Sequence, residues 1–157
     1  MSEFIPSTES RVIEHTDEAF NEKFWRDIEA RIQYYSARIE SIQQRLDELE
    51  CEWDIERVLE TQASSLILIG LFFGATVSRK WFMLPALVSG FFLQHALMGW
   101  CPPVPVFRRL GVRTTREINQ ERYALKALKG DFDEVNSKSD EHPLGKAEKA
   151  LRAAKIC

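Results

Sequence analysis

Two uncharged stretches lying almost back to back decide what this chain can become. Residues 61–78 contain no Lys, Arg, Asp or Glu; Arg79 and Lys80 follow, and residues 81–107 are again free of all four. A helix crosses a hydrocarbon core of about 30 Å in about 20 residues. Adding Val58 and Leu59 gives the first stretch that length and leaves Glu60 near the headgroups. The sequence therefore predicts two membrane spans, residues 58–78 and 81–100. Trp81 and Trp100 stand at the ends of the second, where indole rings favour the membrane–water boundary. The connection Ser78-Arg79-Lys80 permits only a tight hairpin, so the spans are antiparallel neighbours. The rest of the chain supplies too few apolar residues to cover two helices that are hydrophobic on every side. The expected surroundings are a lipid bilayer rather than a protein core.

Charge is segregated around this hairpin. Residues 1–60 carry a balance of −9 and residues 61–157 a balance of +6. An acidic first part would be repelled by phosphate, so no nucleic-acid partner is expected. Arg57 precedes the first span, and Arg108, Arg109, Arg113 and Arg116 follow the second, against Arg79 and Lys80 at the tip. Basic residues concentrate on the cytoplasmic side, which predicts a multi-pass protein with both termini in the cytoplasm. The first twenty residues show no basic start and no apolar run, in keeping with that orientation.

Residues 1–16 read as a polar, flexible leader. From Asp17 onward the apolar residues keep a seven-residue beat. Trp25, Ile32, Ile39, Leu46 and Trp53 occupy one heptad position, and Ile28, Tyr35, Ile42 and Leu49 the other. Such a stripe, bordered by Glu, Asp, Arg and Gln, suits a coiled coil. No Gly or Pro intervenes before Glu60, so one continuous helix is expected, with residues 17–57 forming a cytoplasmic arm about 60 Å long. The stripe needs a partner, either the same helix of another copy, making a homo-oligomer, or the C-terminal helix of its own chain.

Beyond the second span, residues 101–130 form a basic exit. Pro102, Pro103 and Pro105 favour an extended strand of chain. Thr114 and Glu117 have capping-box spacing and announce a helix that ends at Gly130. Residues 131–157 read as a flexible tail with a weak helix over 144–156. The expected fold class is all-α: a long coiled-coil helix, a transmembrane hairpin and a short amphipathic helix.

Candidate sites are few. Gly70 and Gly74, and at the same spacing Ala86 and Gly90, offer shallow grooves for close helix packing, within the hairpin or between copies. Gln94 and His95 are the strongly polar side chains of the second span. An intramembrane His is a candidate for ligand or proton handling, although one interhelical hydrogen bond of about 0.6–2 kcal/mol also accounts for it. Cys101 ends the second span, with Arg108 and Arg109 close enough in sequence to favour its thiolate. On a regular helix the six-residue separation points Cys101 and His95 to different sides, so no Cys/His pair is expected. The three cysteines, Cys51, Cys101 and Cys157, show no metal-ligand spacing. No metal, cofactor or catalytic constellation is legible.

The run Gly99-Trp100-Cys101-Pro102-Pro103 resembles the signature of the YgaP-like membrane-hairpin family of small bacterial inner-membrane proteins. Phe107-Arg108-Arg109-Leu110-Gly111-Val112-Arg113-Thr114 is similar to that family's basic exit, and the likeness extends from about Val58 to Phe132. It implies two short spans in a bacterial inner membrane. Some members join the hairpin to a rhodanese sulfurtransferase domain, which implies for Cys101 a sulfur-accepting or redox thiol. This chain has no rhodanese-type cysteine loop and carries the heptad helix instead. Taken together, the sequence points to an inner-membrane scaffold or accessory subunit that oligomerises through its arm and holds a protein partner there. The alternative is a small oligomeric transporter, or a sulfur/redox relay using Cys101 and His95.

Overall fold

The computed structural model describes residues 10–136 and 143–154. Among them every regular element is helical, as expected for an all-α chain. The helices are α1 (Arg11–Glu14), α2 (Glu18–Ser36), α3 (Ile42–Cys51), α4 (Ile55–Thr76), α5 (Met83–Met98), α6 (Val104–Arg109), α7 (Thr115–Lys129), α8 (Asp133–Asn136) and α9 (Pro143–Ala154). Short 3-10 turns occupy Ile39–Ser41 and Arg79–Phe82. The chain divides into two compact units, Met1–Phe24 with Trp53–Arg116, and Trp25–Glu52 with Glu117–Cys157.

The hairpin of α4 and α5 dominates the first unit. Helical stretches within Ile39–Thr76 and across Arg79–Met98 are long and apolar enough to cross a bilayer. Asp54 starts α4 by accepting the Arg57 N–H at 2.9 Å, satisfying one of the free donors of the first turn. Gly70 and Gly74 are buried at the seam. A Cβ on Gly70 would overlap Pro85, and one on Gly74 would sit 2.7 Å from the Phe82 ring. At both glycines the absence of a side chain leaves room for the facing segment. Ala86 and Gly90 are both exposed, and a Cβ on Gly90 would meet nothing within 4 Å. They lie on the face of α5 turned away from α4. At the tip, Ser78 Oγ accepts the Lys80 N–H, and Phe73 stacks near Trp81 with ring centroids 5.2 Å apart.

At the open end of the hairpin a small core gathers Val12, Ile55, Leu59, Cys101 and Val104, flanked by Phe107 and Val112. Two expectations change here. Residues 10–16 are not a free leader, because Val12 is buried in this core and Arg11 is tied to the hairpin. The proline-rich exit is not extended. Pro102 and Pro103 make a turn, and α6 begins at Val104 with Pro105 inside its first turn. Proline is tolerated there because the N–H it lacks has no helical partner in any case. Arg108 is enclosed: its guanidinium lies 4.1 Å from the centre of the Phe24 ring, donates to Asn21 at 3.1 Å and to the Val112 carbonyl at 3.2 Å.

The second unit packs α3 and the latter part of α2 with α7. The single continuous arm helix is interrupted twice. Ser36 Oγ donates to the Gln33 carbonyl at 2.7 Å, a back-bond that competes with helix propagation, and Arg38 leaves helical geometry at φ −141°, ψ 59°. Glu52 is extended at φ −69°, ψ 130°, just ahead of the Asp54 cap that begins α4. The heptad stripe is also divided. Ile42, Leu46 and Leu49 are buried with Ile118 and Leu125 of α7, and Ile32 and Tyr35 pack beside them. Ile28 is buried, whereas Trp25, Ile39 and Trp53 remain 47%, 58% and 47% exposed. Much of the stripe thus finds its partner in its own chain, each buried aliphatic contributing about 1.5–3 kcal/mol. α7 ends at Gly130, which adopts φ 87°. In the tail, α9 is present, while residues 137–142 and 155–157, with Cys157, lie outside the described residues, as do residues 1–9 of the leader.

Candidate functional site at the open end of the hairpin

α5 ends one residue before Gly99, whose φ of 74° reverses the chain. Only glycine adopts this conformation without penalty. A Cβ there would also collide with the Arg11 backbone and side chain. Trp100 and Cys101 follow outside the helix, and the Pro102-Pro103 turn carries the chain away. The regular-helix geometry that separates Cys101 from His95 therefore does not apply. The reversal folds Cys101 back beside the His95 ring, within interaction range.

His95, in the last turn of α5, is 1% exposed. Its Nε2 lies 2.9 Å from Glu56 Oε2, in the first turn of α4. The other Glu56 oxygen accepts Arg11 Nη2 at 3.0 Å, while Arg11 Nη1 donates to the Ala96 carbonyl at 2.7 Å. Burial would push the Glu56 carboxyl up, but the hydrogen bonds from His95 and Arg11 outweigh it, and Glu56 ionises below its ordinary value. An ionised carboxylate only accepts, so Nε2 must be the donor. That leaves Nδ1 as the nitrogen facing other chemistry. Among the described residues it has no hydrogen bond of good geometry, which leaves it the nitrogen available to the neighbouring Cys101 thiol.

The arrangement can move a proton between sulfur and imidazole while a carboxylate holds the ring in place. The thiol is also 4% exposed and lies at the end of a cleft of about 170 Å³ between α4 and α5. Of the other candidate residues, Gln94 is half-buried, and Gly70 and Gly74 lie deeper in the hairpin. Arg108, expected to favour the Cys101 thiolate, is engaged by Phe24 and Asn21. Among the described residues no group of three or more His, Cys, Asp or Glu side chains could hold a metal ion.

Sequence reasoning missed Glu56 and Arg11. A signal for the acid does exist: a buried histidine in an apolar span needs a polar partner on the facing helix. Counting outward from the Gly70–Pro85 contact, however, brings His95 level with Glu60, which is exposed. The choice of Glu56 depends on Arg11, whose four-residue helix has no periodicity to read. Compared with family models, curated proteins and solved structures, the chain finds no match.

Proposed function

We propose that this chain is a membrane-anchored thiol protein in which Cys101 accepts a group from an electrophile at the cytoplasmic face of a bacterial inner membrane. His95 takes up the thiol proton, and Glu56, held by Arg11, orients the ring. One observation carries the reading: a buried imidazole with one nitrogen committed to a carboxylate and the other left open beside a thiol. The membrane placement is supported by the poor covering of the two apolar stretches, of which only 22% and 11% is buried. It also agrees with the resemblance carried by Gly99–Pro103.

The test is the rate at which iodoacetamide modifies Cys101 in the detergent-solubilised chain, read by peptide mass spectrometry with exposed Cys51 as internal reference. His95→Gln should slow Cys101 by about 100-fold relative to Cys51, the low end of what a positioned base supplies. An unchanged ratio would overturn the assignment.

Scaffolding through the arm is a second reading, favoured by the exposure of Trp25 and Ile39 on the heptad stripe. It is tested by the mass of the solubilised particle. Ile39→Asp should reduce an oligomer to single chains, and a particle of unchanged mass rejects that interface.

A further inference from the structure

The cleft that ends at Cys101 has a chemistry of its own. Its walls are Leu59, Ala63 and Leu66 on α4, at helical spacing along one face, and Val88, Phe91 and Phe92 on α5. Gln62 is its polar wall residue, and Cys101 with the Pro102-Pro103 turn closes the end. From Leu59 to Leu66 the groove follows seven residues of helix, about 10 Å. A thiol with a proton acceptor thus stands at one end of an apolar slot directed along the hairpin. Small polar electrophiles gain nothing from such walls. A hydrocarbon chain packs against them along its length and leaves no polar group unpaired.

We infer that Cys101 is a site of reversible S-acylation, taking a long-chain acyl group from an acyl thioester and seating the first part of the chain between α4 and α5. This rests on the thiol reading above and names its substrate class. The proton of Cys101 passes to His95 Nδ1, and the sulfur attacks the thioester carbonyl carbon. The resulting tetrahedral adduct collapses by breaking the bond to the donor's sulfur. His95 returns the proton to that leaving thiolate. One thioester is exchanged for another, with no oxidant or reductant. Beyond Leu66 and Val88 the rest of the chain continues alongside the spans, where hydrocarbon is the surrounding medium.

The experiment mixes the full chain in phospholipid nanodiscs with palmitoyl–coenzyme A or acetyl–coenzyme A and follows intact mass and modified peptides. The expected result is a palmitoyl increment on Cys101, removed by hydroxylamine and absent from Cys51, forming roughly tenfold faster than the acetyl adduct, which has no chain to pack in the groove. Ala63→Leu fills the slot and should lower the ratio of palmitoylation to iodoacetamide alkylation at Cys101 by roughly fivefold. The ratio is the readout because partial unfolding changes both rates together. Equal palmitoyl and acetyl rates, or an unchanged ratio in Ala63→Leu, would overturn the groove as the acyl seat. If iodoacetamide reacts in a His95-dependent way but neither thioester does, acylation is rejected while the thiol reading stands. If alkylation itself is independent of His95, the underlying reading fails.

Discussion

Two carboxylates, one in each of the molecule's two units, are treated differently. Glu121 of α7 is 0% exposed, and its oxygens meet Arg45 Nε at 2.9 Å and Arg31 Nε at 3.0 Å. Both oxygens end on guanidinium groups, which are always charged and cannot serve as bases. Glu56 also has both oxygens engaged, but one of them ends on an imidazole, whose ring nitrogens can give and take a proton as a guanidinium cannot. The first cluster presents only permanently charged donors to its carboxylate and holds helices together. The second includes His95, whose Nδ1 stands free for the proposed exchange with the thiol. The contrast teaches that what lies one bond beyond an acid, rather than the acid itself, separates a strut from a site.

The largest effect is expected at the Glu121 cluster. Glu121→Leu leaves two guanidinium groups without their carboxylate and should cost about 3–5 kcal/mol in chemical unfolding of the solubilised protein. Iodoacetamide should still modify the surviving folded fraction at the wild-type Cys101 rate, and a slowed rate would break the distinction between the clusters. Next comes Gly99→Ala, which places a Cβ at φ 74° against Arg11. Strain and overlap together should cost about 2–4 kcal/mol and remove the His95 dependence of Cys101 alkylation.

Glu56→Gln should be milder, about 1–2 kcal/mol, because the carboxylate is 28% exposed. It also has a pH signature. The folded-state value of Glu56 is depressed, so its contribution is complete above the ordinary value of 4.5 and is lost as pH falls through the folded-state value. Wild type should therefore weaken on the acid side in thermal unfolding scans, and Glu56→Gln should show a flatter acid limb. Parallel curves would mean that Glu56 gains nothing from Arg11 and His95.

The sequence exposes these two regions unequally. The apolar stretches and Arg79-Lys80 mark α4, the tip and α5, because an apolar run needs only length to be read. Gly70 and Gly74 are legible for the same local reason, and Gly130 marks the end of α7. The stripe of Ile42, Leu46 and Leu49 reveals an apolar face but not its partner, since a heptad accepts another chain or another segment equally well. The site is harder. Cys101 and His95 stand out individually, yet their meeting depends on one left-handed residue, Gly99, that cancels helical spacing. Arg11 and Glu56 lie 45 residues apart in sequence and read there as ordinary surface charges. Long-range pairing of this kind leaves no periodic trace.

The adjacency of sulfur and ring is open to direct observation. The chain has three histidines, so nitrogen NMR of histidine-labelled protein in detergent, assigned with His95→Gln, can follow the His95 ring alone. The account predicts that Cys101→Ala shifts the Nδ1 signal of His95 while leaving His15 untouched. A His95 spectrum indifferent to the loss of the thiol would contradict it.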